Sequence, residues 1–156
     1  MRGDVYAARS RDGGRTWGRI EPVVKDRHVE AAMAHLGRGR WVAAARRFGF
    51  RDLEVFGSDD DAFTWRHLST LELAPVSAAH LLQLSDGRLL LTHGNRSADN
   101  RGIEVRMSRD GGRTWSAPQR LIGLETGDCG YSDTAELSGR RLLVAYYAGG
   151  IPQHQR

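Results

Sequence analysis

Eight residues, SRDGGRTW, occur twice without a change, at Ser10–Trp17 and Ser108–Trp115, and a worn copy, SDDDAFTW, sits between them at Ser58–Trp65. The three copies start 48 and 50 residues apart, which makes the chain a repeat protein. A period near 50 matches four-stranded propeller blades and is too long for ankyrin or leucine-rich units. The expected fold is all-β, a row of four-stranded antiparallel sheets.

The octapeptide has the chemistry of a tight turn between two strands. Asp12 and Asp110 can accept hydrogen bonds from backbone N–H groups just downstream, as in Asx turns. Gly14 and Gly112 then supply the positive φ that closes the loop. Thr16–Trp17 and Thr114–Trp115 begin the next strand, with each indole suited to pack over its own turn. The middle copy has Ala62 where glycine belongs, so a looser turn is expected there.

Between the boxes the strand signals recur in a fixed order. An outer strand at Arg19–Val24 is followed by an inner strand at Ala31–Leu36, a turn at Gly37–Arg40, and strands at Trp41–Arg46, Leu53–Ser58 and Arg66–Ser69. The next unit reads Ala78–Leu84, a turn at Ser85–Arg88, Leu89–His93, a longer connection at Gly94–Gly102, Ile103–Ser108 and Gln119–Ile122. A last half-unit pairs Thr134–Leu137 with Leu142–Tyr147. The units are a partial blade at 1–24, blades at 28–71 and 76–122, and a partial blade at 128–156. No segment carries a convincing 3.6-residue period.

S-x-D-x-G-x-T-W once per blade resembles the Asp box of the sialidase (neuraminidase) superfamily and its BNR-repeat relatives, which are six-bladed β-propellers. The resemblance implies that the box lies on the rim away from substrate, and that these 156 residues are a fragment of a six-bladed β-propeller of nearly twice this length. An incomplete ring leaves sheet faces and edges open, so self-association through those edges is expected of the isolated chain.

Net charge is +4, and of the 23 basic residues only Lys25 is not arginine. The arginines are interleaved with acids and form no stripe with stacking aromatics, which argues against a nucleic-acid partner. The single Cys129 excludes an internal disulfide, and the six scattered histidines lack metal-ligand spacing, so no cofactor or metal is expected. There is no apolar stretch of about 18 residues, so no membrane association is expected. The compartment is left open.

The resemblance also assigns candidate site residues. In sialidases a glutamate opening an inner strand and an arginine closing its neighbour serve as the base of a tyrosine nucleophile and as one of three substrate arginines. Glu30 and Arg46, in EAAMAHLGRGRWVAAAR, match those positions, with A-A-R in place of the usual N-A-R. Tyr131, within YSD, resembles the surroundings of the nucleophile, although Gly127–Tyr131 also resembles the D-x-G-Y-P-S stretch of other BNR-type proteins. Tyr146–Tyr147 stands where many sialidases have tyrosine followed by glutamate. A further arginine is expected from THGNRSADNRG, which offers both Arg96 and Arg101. The family's R-I-P-like arginine motif and its acid/base aspartate come from early blades, and neither motif is in this sequence.

These residue types suit one reaction. Arginine forks bind a carboxylate through parallel charge-assisted hydrogen bonds, and sialidases are the glycosidases whose nucleophile is tyrosine. A phenol with a pKa near 10 needs a neighbouring carboxylate as base. The expected function is an exo-α-sialidase-like glycoside hydrolase acting on a terminal anionic sugar of a glycan. The alternatives are a BNR-repeat glycosidase for another sugar and a non-catalytic glycan- or protein-binding propeller.

Overall fold

The computed structural model describes residues 3–49, 52–72 and 78–150. It is all-β: β1 (Val5–Arg9), β2 (Gly18–Val24), β3 (His28–His35), β4 (Trp41–Arg47), β5 (Asp52–Ser58), β6 (Arg66–Glu72), β7 (His80–Gln83), β8 (Leu89–Asn95), β9 (Gly102–Ser108), β10 (Gln119–Gly123), β11 (Cys129–Leu137) and β12 (Arg141–Ala148). The strands form four antiparallel sheets, β1-β2, β3-β4-β5-β6, β7-β8-β9-β10 and β11-β12, each a meander in chain order. The 76–77 start expected for the third unit and the 151–156 end expected for the fourth lie outside the described residues. Among the described residues the one helical piece is a 3-10 turn at Ser138–Arg140, and no helix is long and apolar enough to cross a membrane.

The middle strands explain how the sheets stack. Every residue of β8 is buried, as are Val42, Ala43, Ala44 and Ala45 of β4. A strand covered on both faces is a central strand, and alternation sends successive side chains to opposite neighbours. Val42 and Ala44 join Leu53, Val55, Leu81, Leu89 and Leu91 in a core shared by the second and third sheets. Ala43 faces the other way and packs with Ala7 and Val23 of the first sheet. Leu90 likewise turns from that shared core to a separate cluster with Leu84 and Val105. The alanine run of β4 is thus the small-residue spacer that lets neighbouring sheets approach closely.

The two-stranded end sheets show the reverse: Tyr6 and Ile20 on one and Leu143 and Tyr147 on the other are exposed.

The three boxes close β1 onto β2, β5 onto β6 and β9 onto β10, through one hydrogen-bond pattern. The threonine N–H donates to the aspartate at 2.9 Å in each copy, from Thr16, Thr64 and Thr114. The serine hydroxyl accepts from the N–H of Gly14 at 2.7 Å, of Gly112 at 2.8 Å and of Ala62 at 3.0 Å. The looser turn expected at Ala62 is therefore not observed. Ala62 adopts φ +62° and keeps the whole pattern, because the serine and aspartate bonds over-determine the backbone. The indole expectation holds for Trp115, which donates to the Gly112 carbonyl at 3.2 Å, whereas Trp17 is two-thirds exposed and the buried Trp65 N–H has no partner among the described residues.

The second and third boxes also brace the preceding sheet. Ser69 donates to the Gly112 carbonyl at 2.7 Å, and Arg9 donates to the Asp61 carbonyl at 3.0 Å. Because strands alternate direction, the boxes and the hairpin turns at 37–40 and 85–88 gather on one edge of the stack. The starts of β3, β7 and β11 and the ends of β4 and β8 gather on the other.

Two outcomes are expected. Gly13 and Gly112 both have positive φ, but a Cβ on Gly13 meets nothing within 4 Å, whereas one on Gly112 lies 3.2 Å from Val55 and 3.3 Å from Val42. Gly13→Ala should cost about 1 kcal/mol from backbone strain, and Gly112→Ala about 2–4 kcal/mol once overpacking is added, as read from urea midpoints. The hydroxyl and N–H of Thr16 hold Asp12 at a pKa of about 2, and Thr64 depresses Asp60 in the same way. Partial burial opposes the shift at Asp110, but Thr114 outweighs it and brings that carboxyl to about 2 as well. Folded values below the unfolded value of about 3.9 mean that this stabilisation is complete above that pH and is lost as pH falls toward about 2. A urea-midpoint series down to low pH should show that decline, and Asp110→Asn should flatten part of it.

Candidate active site

Glu30 and Tyr131, expected at the openings of inner strands, lie inside them. β3 begins at His28 and β11 at Cys129, upstream of the Ala31 and Thr134 starts expected from the pattern. In both strands the ladder slips at the candidate residue. The β3–β4 register breaks between Val29 and Ala31, and the β11–β12 register breaks between Gly130 and Asp133. Glu30 sits at φ +43° and Tyr131 at φ +49°, both in the left-handed region. Such a conformation costs a non-glycine residue about 1–2 kcal/mol, and a bulge of this kind re-aims a side chain that regular pairing would direct elsewhere.

The two bulges aim at each other. The Tyr131 hydroxyl donates to Glu30 Oε1 at 3.1 Å, from the fourth sheet to the second. Arg46, at the end of β4, pairs with the other oxygen, Oε2. One carboxylate oxygen is thus tied to a cation while the other faces a phenol. Tyr131 is more than half exposed, while the Glu30 and Arg46 side chains are about one-quarter exposed.

The β8–β9 connection resolves the two remaining arginines differently. Arg96 donates through Nε to the Cys129 carbonyl at 2.8 Å, and its guanidinium carbon lies 5.9 Å from the Tyr131 ring centroid. Arg101 donates to the Glu125 carbonyl at 3.0 Å, while its own carbonyl accepts from Leu124 N–H. Arg96 is therefore brought to Tyr131, and Arg101 is held against the 124–127 loop.

Beneath that connection lies an acid the sequence did not single out. Glu104 is buried, and its Oε1 accepts from the amides of Asn95 at 3.0 Å and Asn100 at 2.6 Å. Asn95 in turn accepts from the N–H and hydroxyl of Ser97. His93, 3.9 Å from Glu104, is pushed below the ordinary histidine pKa by burial and is neutral at pH 7. Burial also raises the Cys129 thiol, which keeps it protonated. Among the described residues, no three His, Cys, Asp or Glu side chains form a set that could hold a metal ion.

Two further pairs flank the tyrosine. His80, the first residue of β7, accepts the Thr134 N–H on Nδ1 at 3.2 Å and approaches Asp133 with Nε2 at 3.1 Å. This fixes the start of the intervening inner strand to the strand that bears Tyr131. The sequence carries a signal for it: Glu30 and His80 each lie 28 residues before the serine of their own box. On the other side, the Tyr147 hydroxyl donates to Asp128 at 2.7 Å, an interaction that raises the Tyr147 pKa.

The BNR repeat-like domain family profile matches residues 3–144. No curated protein matches the sequence. Among solved structures, the GH93 α-L-arabinofuranosidase of Fusarium graminearum in complex with arabinobiose aligns over 96% of this chain and 50% of its own, with a TM-score of 0.76 and 18% identity. The leech intramolecular trans-sialidase aligns over 77% of this chain and 19% of its own, with a TM-score of 0.60 and 22% identity. A Hadza microbial sialidase aligns over 80% and 26%, with a TM-score of 0.57 and 25% identity. The chain therefore spans half the length of the arabinofuranosidase and about a quarter or less of the two sialidase-type enzymes.

Glu104→Ala should leave the Asn95 and Asn100 amides unpaired and cost about 1–3 kcal/mol. In hydrogen exchange the amides of residues 96–101 should lose protection, while those of the second sheet stay unchanged.

Proposed function

Because the chain belongs to the BNR repeat-like domain family, we propose that this edge is the active centre of a retaining glycoside hydrolase in which Tyr131 is the nucleophile and Glu30 its base. The observation that carries the reading is the 3.1 Å hydrogen bond from Tyr131 to Glu30, made by two residues that both occupy strained backbone positions. Strain of this kind persists where the surrounding structure enforces it, and it concentrates at functional sites.

The chemistry follows from the two ends of the carboxylate. Arg46 engages Oε2 and leaves Oε1 to receive the phenolic proton. As that proton passes to Glu30, the Tyr131 oxygen forms a bond to the anomeric carbon, and the bond to the leaving oxygen breaks. A general acid elsewhere on the ring protonates the leaving oxygen. Water then attacks the same carbon and gives up a proton to the now deprotonated general acid, while Tyr131 departs as a phenol on recovering its proton from Glu30. A neutral nucleophile suits an anionic sugar, since a carboxylate nucleophile would meet repulsion. Arg96, with Arg46, is the group to bind the sugar's carboxylate. The substrate is accordingly a terminal sialic acid or related anionic sugar of a glycan, and Arg101 serves the loop that frames the site.

A second reading, a glycosidase for a neutral sugar, draws support from one feature. Arg46 is already committed to Glu30, which leaves Arg96 as the cation next to Tyr131 for a substrate carboxylate.

The full-length protein should hydrolyse an aryl α-sialoside, and Tyr131→Phe and Glu30→Gln should each lower kcat by about 10²–10⁴-fold. Hydrolysis of an aryl α-L-arabinofuranoside alone, with the same losses, would favour the neutral-sugar reading. Sialoside binding without turnover, unchanged in both variants, would identify a binding propeller and contradict the proposal.

A further inference from the structure

The duplicated octapeptide contains more than its turn requires. The hydrogen bonds common to all three boxes are made by the serine, the aspartate, the threonine and the N–H at the glycine position, yet the two perfect copies also share arginine at the second and sixth positions, Arg11 and Arg15 in one, Arg109 and Arg113 in the other. In the third sheet those arginines line a cleft of about 400 Å³ against the second sheet, on the edge opposite Tyr131. Arg40, from the β3–β4 turn, and Arg66, at the start of β6, line the facing wall, and Leu36 and Leu68 contribute apolar surface.

The charge in this cleft is poorly compensated. Arg66 pairs with Asp59 at 2.5 Å. Among the described residues the Arg40 and Arg113 guanidiniums are held only by backbone carbonyls, of Leu36 at 3.2 Å and Asp110 at 2.7 Å, which fix them without neutralising them. Arg109 makes no hydrogen bond or ion pair among the described residues. Asp110, the other acid lining the cleft, is engaged by Ser108 and Thr114 of its own turn. Four guanidiniums against two carboxylates leave a local excess of positive charge around a concave, partly apolar surface of ligand-pocket size.

We propose that this cleft is a second binding site, for a carboxylate-bearing sugar residue. Guanidinium forks recognise a planar carboxylate in two parallel hydrogen bonds, and the leucines match the apolar face of a sugar ring. A long polyanion fits less well. The middle box carries Asp59 and Asp61 where its neighbours carry arginine or glycine, so the face alternates in sign and repels an extended phosphate backbone. The site does not rest on the reading of the Tyr131 edge.

The test titrates the full-length protein with trigalacturonate and with its methyl-esterified, uncharged form, followed by calorimetry. Trigalacturonate should bind, and the ester should bind at least tenfold more weakly. Arg109→Gln/Arg113→Gln, with Arg40→Gln as an independent variant on the opposite wall, should weaken trigalacturonate at least tenfold without moving Tm, while Tyr131→Phe should bind it unchanged. Equal affinity for the ester would overturn the proposal. So would arginine variants that bind normally, loss of binding in Tyr131→Phe, or an oligonucleotide that binds as tightly as trigalacturonate.

Discussion

The hydrogen bond between Tyr131 and Glu30 joins residues 101 positions apart, and it exists only because two strands break their own regularity to make it. Neither residue would choose a positive φ alone. Each is over-determined by the ladder on both sides of its bulge and by the stacking of sheets beneath it. The β7 sheet lies between the two partners, and its buried β8 strand shares one core with the Glu30 sheet and a Thr92–Thr134 hydroxyl contact of 3.1 Å with the Tyr131 sheet. Packing at the centre thus sets the distance at the edge.

The parts of this arrangement that were readable in sequence are those determined locally. The box is a local hydrogen-bond motif, so SxDxGxTW predicts its turn wherever it occurs, and even Ala62 does not loosen it. Strand order followed from turn residues and period. The bulges were invisible, because a register slip is decided by the partner strand and the neighbouring sheet. The pattern reads Ala31 and Thr134 as the strand starts since those residues resume the alternation that Glu30 and Tyr131 interrupt. The choice between Arg96 and Arg101 was undecidable for the same reason: it depends on Cys129 and Glu125, distant in sequence, accepting one side chain each. His80 was legible by counting back from its box, but a histidine in the place of a glutamate carries no recognisable motif.

The two edges of the stack differ in how they treat charge. At the Tyr131 edge the acids nearest the tyrosine have partners: Glu30 with Arg46, Asp133 with His80, Asp128 with Tyr147. Such pairing holds side chains in defined orientations, which is what a reacting site needs. At the box edge Asp12, Asp60 and Asp110 are consumed by the turns, and among the described residues Arg40, Arg109 and Arg113 are left without an acid partner. The same repeat that builds the fold therefore leaves one face ordered by ion pairs and the other with surplus cations.

The most direct measurement is the identity of the residue that bonds to the sugar. A fluorinated, slowly hydrolysed analogue of the substrate sugar, incubated with the full-length protein and followed by peptide mass spectrometry, should add the mass of one glycosyl group to the peptide containing Tyr131, and Tyr131→Phe should abolish the adduct. An adduct on Glu30, or on any other carboxylate, would contradict the account and make this a carboxylate-nucleophile enzyme on a tyrosine-bearing scaffold.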